Sequence, residues 1–227
     1  MKKYDAIILC GGKGNRIKKI TQFKPKCLIN FYGKPFLFYQ LNYLKKNHIN
    51  NVILSVGYKA KFIKNYVENN INFLNVKVVN DGKKLLGTGG AINKSVKFLK
   101  NSFYVIYGDS YLNFNLKNLK LDNKISIMAI YKNQNRYDKS NVERKKSNFI
   151  IYDKSKKNKD YGYIDYGVSY LKKKIFKNFK RNRRFDLSDL LQKISKDNNL
   201  KGYVVKKRFY EIGSYNGIKQ FKKFIKK

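Results

Sequence analysis

Residues 4–16 read Tyr4–Asp5–Ala6–Ile7–Ile8–Leu9–Cys10–Gly11–Gly12–Lys13–Gly14–Asn15–Arg16. The first seven form a short, nearly continuous apolar run, the pattern of a parallel strand buried on both faces. The run stops at two glycines, so the chain leaves the strand through a turn where backbone N–H groups can approach an anion with no side chain in the way. Arg16 adds a forked donor suited to phosphate oxygens. On its own the loop is a weak signal. It matches neither the Walker pattern, which needs Gly-Lys-Ser/Thr, nor a Gly-x-Gly-x-x-Gly spacing, and an ordinary strand-to-helix turn would look the same.

Outward from this strand the apolar period alternates. Phe36 to Lys46 carries a helical stripe with Pro35 at its start. Val52 to Val56 reads as a second strand, Phe62, Ile63, Tyr66 and Val67 as one face of a helix, and Val76 to Val79 as a third strand closing on Asn80–Asp81–Gly82. A helix from about Thr88 to Leu99 feeds a strand, Phe103 to Tyr107, that ends at Gly108–Asp109. Such alternation predicts a parallel, doubly wound sheet with ligands at the carboxyl ends of its strands.

The second half departs from that rhythm. Ile125 to Tyr131, Phe149 to Tyr152 and Tyr163 to Leu171 are strand-like, and the polar, turn-rich stretch between Lys132 and Asn148 reads as a lid-like insertion. Phe185 to Ile194 is an amphipathic helix, Tyr203 to Val205 a strand, and Ile218 to Ile225 a closing helix. No internal repeat interrupts the order. The reading is a single α/β domain spanning residues 1–227, with three layers built on a Rossmann-like, doubly wound mixed sheet.

Composition agrees with a folded enzyme-sized domain. The 227 residues are 42% hydrophobic and 15% aromatic, too much apolar material for a disordered basic tail. The formal net charge of +38 raises the question of nucleic acid. The lysines run from Lys2 to Lys227 without a basic block, whereas a binding face would cluster them. Abundant Lys, Asn, Ile, Tyr and Phe beside 2 Pro and no Trp is what an AT-rich genome writes where selection is slack. No specific nucleic-acid partner is expected, although a positive field favours anionic substrates. Cys10, Cys27 and the lone His48 make no metal pattern, and the apolar run Ala6 to Cys10 is too short for a signal peptide or membrane span. A reduced, soluble, cytoplasmic protein is expected, with homo-oligomerisation left open.

After the glycine loop comes Thr21–Gln22–Phe23–Lys24–Pro25–Lys26, and here the chain resembles the sugar-1-phosphate nucleotidylyltransferase family, whose members open with a strand, a Gly-Gly-x-Gly-x-Arg loop and a Pro-Lys pair. The matching residues are Gly11, Gly12, Gly14, Arg16, Pro25 and Lys26. Leu86–Gly87–Thr88–Gly89–Gly90–Ala91 is similar to the family's Leu-Gly-Thr-Gly-Gly-Ala segment at the start of a helix. Tyr107–Gly108–Asp109–Ser110 resembles its Gly-Asp pair. The resemblance spans Lys3 to about Phe224 and is nearest to members like D-glycero-D-manno-heptose 1-phosphate guanylyltransferase.

The resemblance implies a GT-A-like nucleotidyltransferase fold with a small sugar-side insertion. It also implies transfer of a nucleoside monophosphate from a nucleoside triphosphate, with GTP favoured, to a sugar 1-phosphate with release of pyrophosphate. Arg16, Lys26 and Asp109 inherit catalytic roles. Leu9, Gly11, Gly12, Gly14, Asp81, Gly87 and Thr88 inherit the nucleotide, with Asp81–Gly82–Lys83 near the base. Lys154, Asp165 and Gly167 inherit the sugar phosphate, and Asp109 with Glu211 the Mg²⁺. Two departures stand out. Glu211, in Phe209–Tyr210–Glu211–Ile212–Gly213, takes the place of a commoner aspartate. Asp165, in Ile164–Asp165–Tyr166–Gly167, replaces an asparagine, and a carboxylate only accepts hydrogen bonds where an amide does both. Three rivals stay open: a cytidylyltransferase acting on a non-sugar phosphate, a non-catalytic nucleotide-binding regulatory protein, and a nucleic-acid-binding protein drawn by the charge.

Overall fold

The computed structural model describes residues 4–12, 14–21, 24–82, 84–119, 125–155, 161–180 and 182–226. Lys13 of the glycine loop, Lys83 of the base loop, and Gln22 and Phe23 ahead of Pro25 lie outside the described residues, as do the two ends of the 1–227 span. The strands are β1 (Tyr4–Leu9), β2 (Asn30–Phe31), β3 (Lys34–Pro35), β4 (Ile49–Val56), β5 (Asn75–Asn80), β6 (Ser102–Tyr107), β7 (Ser110–Tyr111), β8 (Ser126–Lys132), β9 (Val142–Arg144), β10 (Ile150–Tyr152), β11 (Tyr163–Lys172), β12 (Leu200–Val204) and β13 (Tyr210–Glu211). The helices are α1 (Lys18–Thr21), α2 (Phe36–Lys46), α3 (Ala60–Asn70), α4 (Gly87–Ser95), α5 (Leu187–Lys196) and α6 (Tyr215–Ile225).

One mixed sheet organises the chain. β1 lies at its centre, parallel to β4 on one side and to β6 on the other, and β5 extends the sheet beyond β4. The chain order therefore reverses across β1. In an open α/β sheet that reversal leaves a crevice at the carboxyl ends of the flanking strands. Beyond β6 the direction changes: β11 runs antiparallel to β6 and β8 antiparallel to β11, while β12 lies parallel to β8.

Alternation along β1 sends side chains to two different cores, as the two-residue period of a strand requires. Ala6 and Ile8 face a layer formed by Leu37, Leu41 and Leu44 of α2 and by Ile63 and Val67 of α3. Ile7 faces the opposite layer, with Ile92 of α4 and Leu187, Leu190, Leu191 and Ile194 of α5. Three layers result. A satellite cluster, Phe31, Phe36, Ile212 and Phe221, fastens α6 to the start of α2, with the Phe221 ring packed edge-on against Phe31 and Phe36 at 4.9 and 5.0 Å.

The stretch between Lys132 and Asn148 is not a loose lid. It contributes β9, whose Val142 pairs with Tyr152 of β10 and Tyr163 of β11, so the insertion is built into the sheet. Its turn is held from within: Asn133 Nδ2 donates to the Ser140 hydroxyl at 3.0 Å, and Ser140 N–H donates to Asn135 Oδ1 at 2.7 Å. Three residues are too few to show a strand period, so the polar composition hides it. Cys10 and Cys27 are buried, unlinked thiols, and Cys10 is held well above the usual thiol range by its hydrogen bond with Cys27 and by burial. His48 is exposed. Among the described residues no helix is long and apolar enough to cross a membrane.

Candidate active site

β6 releases Asp109 at its carboxyl end, and two short strands bring a second carboxylate beside it. β13 pairs antiparallel with β7, placing Glu211 opposite Ser110, and Ile212 N–H donates to the Asp109 carbonyl at 2.9 Å. Lys26 follows Pro25 in a single helical turn, and its ammonium donates to Asp109 Oδ2 at 2.5 Å. The two side chains are only 20% and 23% exposed. A Cβ on Gly213 would lie 3.0 Å from Glu211 Oε2 and 3.1 Å from both Arg16 Nη2 and Asp109 Oδ2. Two carboxylates and two cations thus converge on one spot, and glycine is the residue that leaves it open.

Two cavities meet there. The first, about 440 Å³, is lined by Leu9, Gly11, Gly12, Lys26, Asp81, Gly87 and Thr88, together with Arg184 and Asp186. The second, about 600 Å³, is lined by Arg16, Asp165 and Glu211 with Arg136, Tyr137, Tyr152 and Arg208. Tyr107 and Asp109 line both. A cavity of about 700 Å³ lined by Ser102 and Lys172 to Lys174 sits at the amino end of β6, the far edge of the sheet from these residues.

In the first cavity the carboxylate of Asp81 is half satisfied. Its Oδ2 accepts from Leu86 N–H at 3.3 Å, while its Oδ1 is buried with no hydrogen-bond partner. Burial raises its pKa against the opposing pull of Leu86 N–H and the Lys94 ammonium. A buried acceptor with nothing to accept is costly, and its place in a cleft suits a ligand donor. Gly87 adopts φ +70°, and its N-terminal position on α4 leaves Gly87 and Thr88 on the cavity wall.

The helix start does not present all of its N–H groups to a ligand. Gly89 N–H and Gly90 N–H both donate to the Phe185 carbonyl, at 3.0 and 3.1 Å. A Cβ on Gly89 would stand 2.2 Å from Phe185 Cε2, and one on Gly90 2.5 Å from the Arg183 carbonyl. These two glycines admit the segment before α5. That segment delivers Arg184 and Asp186 to the cavity, and nothing in its local sequence announces the contact.

The second cavity is ordered by Asp165. Its Oδ2 accepts from the Tyr107 hydroxyl at 3.1 Å and its Oδ1 from Gly167 N–H at 2.8 Å. Burial pushes its pKa up to about 6 against those two hydrogen bonds. Gly167 thus stands behind Asp165. Lys154 lies in neither lining; its ammonium donates to Asp186 Oδ2 at 3.1 Å. Gly14, at φ +65°, shapes the turn before Arg16 without lining either cavity. Sequence reading passed over Tyr107, although it immediately precedes the Gly108–Asp109 pair, and over Arg136 and Arg208, which sit outside any motif.

The model of a family described as nucleotidyl transferase matches residues 5–227. The chain belongs to that family. It is 37% identical over 92% of its length, and 94% of the other chain's, to D-glycero-alpha-D-manno-heptose 1-phosphate guanylyltransferase of Campylobacter jejuni. The crystal structure of HddC from Yersinia pseudotuberculosis superposes with a TM-score of 0.83 at 28% identity, covering 98% of this chain and 99% of that one. A structure of the same Yersinia protein complexed with GMP-PN gives a TM-score of 0.79 at 26% identity over the same shares of both chains. As a nucleotidyl transferase the chain is an enzyme, its mixed sheet the family scaffold.

Proposed function

We propose that this enzyme transfers GMP from GTP to a sugar 1-phosphate, a heptose 1-phosphate in the first instance, releasing pyrophosphate. The observation that carries the reading is the junction at Tyr107 and Asp109, where one cavity suited to a nucleotide opens into a second suited to a sugar. Guanine is favoured by the unpartnered Asp81 Oδ1, because guanine presents N1–H and an exocyclic amine that a carboxylate can accept from. Relatives named heptose 1-phosphate guanylyltransferase support the same choice.

The reaction requires no protein nucleophile. An oxygen of the acceptor's phosphate forms a bond to the α-phosphorus as the bond from that phosphorus to the bridging oxygen breaks, and the electron pair leaves with pyrophosphate. The acceptor phosphate is already anionic, so the protein's work is positioning and charge neutralisation. Gly11 and Gly12 border the triphosphate with bare backbone. Lys26 stands where charge develops at the α-phosphate, and Arg16, beside Asp109 and Glu211 where the two cavities meet, adds a second cation to that junction.

Asp109 and Glu211 fit Mg²⁺. Magnesium takes one or two carboxylates and completes its shell with substrate phosphates and water, and no cluster of three or more His, Cys, Asp or Glu occurs among the described residues. Glu211 Oε2 and Asp109 Oδ2 border the same point, and each keeps lone pairs beyond its present contacts. When bound there, the ion supplies further neutralisation of the phosphate oxygens. The product, a nucleoside diphosphate sugar, suits a cytoplasmic pathway to lipopolysaccharide or capsule.

A matrix of five nucleoside triphosphates against several sugar 1-phosphates, with and without Mg²⁺, tests the proposal by pyrophosphate release. The expected result is magnesium-dependent release with GTP and heptose 1-phosphate. Release with a non-sugar phosphate alone, or none with any pair, would sink it.

A further inference from the structure

The cavity at the amino end of β6 lies at the opposite edge of the sheet from the junction at Asp109. Ser102 on its wall opens the strand that Tyr107 closes, and five residue steps of extended chain span about 17 Å. Nothing in the proposed reaction uses this space of about 700 Å³, a size within the roughly 300–1,000 Å³ of small-molecule sites.

Its lining is unlike the dispersed charge of the rest of the chain. Lys and Arg make 52 of the 227 residues, yet Lys172, Lys173, Lys174 and Lys177 make four of the eight that line this cavity, and none of those eight is acidic. Each of the two active-site cavities, by contrast, is lined by at least three carboxylates. No salt bridge among the described residues involves Lys173, Lys174 or Lys177. Like charges gathered round one opening repel one another, and an anion seated among them relieves the repulsion.

Local structure fixes the inner two of these cations. Lys172 ends β11 opposite Ser102 and is 7% exposed, and its ammonium donates to the Ser102 hydroxyl at 3.1 Å. The next four residues, Lys173–Phe176, form a 3-10 turn. Lys173 N–H ties that turn to the start of β6 by donating to the Asn101 carbonyl at 2.9 Å. The Lys173 ammonium donates to the Leu99 carbonyl at 3.1 Å, which uses one of its three donors. Lys177 N–H donates to the Lys174 carbonyl at 3.2 Å, so these two exposed side chains share the turn. Phe176 is buried against Phe103, with ring centroids 6.2 Å apart, and with Val96 gives the cavity an apolar side.

Ammonium groups act on phosphate as point charges, and several around one opening suit a ligand with more than one phosphate group. The apolar side suits the uncharged body of such a ligand. We propose that this cavity is a second anion site, separate from the active site, which binds a small molecule carrying linked phosphate groups through Lys173, Lys174 and Lys177.

Isothermal titration calorimetry with inorganic pyrophosphate in magnesium-free buffer tests it. The full-length protein carries Lys26→Ala throughout, which removes one cation from the active site. It is compared alone, with Lys174→Ala and Lys177→Ala added, and with Lys61→Ala and Lys64→Ala added as a charge-matched control on the exposed face of α3. Binding is expected to weaken at least about tenfold on loss of Lys174 and Lys177, the effect of removing charged hydrogen bonds. The control is expected to stay within about twofold of the parent, and thermal midpoints check that each variant is folded. Equal weakening in both would show a diffuse response to charge and overturn the site. Absence of binding, or binding indifferent to Lys174 and Lys177, would overturn it too. A short DNA duplex that displaces pyrophosphate with the same dependence on these lysines would make the cavity a nucleic-acid contact and overturn the assignment to a small molecule. In the otherwise wild-type enzyme, loss of Lys174 and Lys177 should leave turnover within about twofold; inactivity of the wild type itself would refute the proposed function without touching this site.

Discussion

The ammonium of Lys26 rests 2.5 Å from Asp109 Oδ2, joining residues 83 positions apart across the mouth of the central crevice. The pair is mostly screened from solvent, so each charge depends on the other while no phosphate is bound. Lys26→Ala should lower turnover about 10²- to 10³-fold, the range for removing one donor to a developing charge, with an unchanged circular dichroism spectrum. Asp109→Asn should abolish magnesium-dependent pyrophosphate release. Near-normal turnover in either variant would remove the pair from the reaction.

Glu211 serves two ends of one short segment. Its carboxylate accepts from Gly213 N–H and from the Ser214 hydroxyl, each at 2.5 Å, and Ser214 in turn caps α6 by accepting from Gly217 N–H at 2.9 Å. Glu211→Gln should raise the Mg²⁺ concentration needed for half-maximal rate and lower stability by about 1 kcal/mol, as lost capping does. A magnesium titration and urea melts report the two effects separately. Loss of stability with an unaltered magnesium optimum would leave Glu211 a capping residue only.

Asp81→Asn should erode the preference for guanine. With an amide in place of the carboxylate, the acceptor facing the base weakens, and kcat/KM for GTP should fall about tenfold or more relative to ATP. The ratio of kcat/KM for GTP to that for ATP is the measurement. An unaltered ratio would place base selection elsewhere in the cavity.

Asp165 makes stability depend on pH. Burial holds its folded pKa at about 6, above the ordinary carboxylate value of 3.8, so the folded protein binds this proton more tightly than the unfolded chain does. The contribution is full below the unfolded value and is lost as pH rises through the folded one. Asp165→Asn should therefore flatten the decline in stability between about pH 4 and 6, a difference on the order of 2 kcal/mol for a shift of this size. Urea midpoints measured across that range would show it, and parallel curves for the two proteins would contradict it.

Gly89→Ala tests the packing of α4 on the segment before α5. The added methyl would meet the Phe185 ring at 2.2 Å, and overpacking of that kind costs about 1–3 kcal/mol. A thermal midpoint at or above wild type would show that Phe185 yields.

How much of this could be read in advance depended on the length of each signal. β1, β4 and β6 each carry several apolar residues and end at glycine or an acidic residue, so both the sheet and the position of Asp109 at a strand end were legible. Lys26 and Glu211 were named through family resemblance, because the single helical turn holding Lys26 and the two-residue strands β7 and β13 are too short to show a period. Arg136 and Arg208 were invisible, since their common feature is the Tyr137 ring between segments about 70 residues apart. Gly89 and Gly90 were legible as part of the Leu86–Ala91 match, but the reason for them was not, because their partner, Phe185, lies far along the chain.

That partner has a consequence for how the molecule is made. The Phe185 carbonyl accepts both Gly89 N–H and Gly90 N–H, so the wall of the first cavity needs a residue nearly a hundred positions downstream. Contacts of such long range close late, because chain entropy must be overcome before they can form. A ribosome synthesising this chain from its amino end would expose the glycine loop and α4 well before Phe185 emerges. The nascent half therefore carries the glycine loop but not the finished wall of the first cavity, which is completed only after most of the chain has been translated.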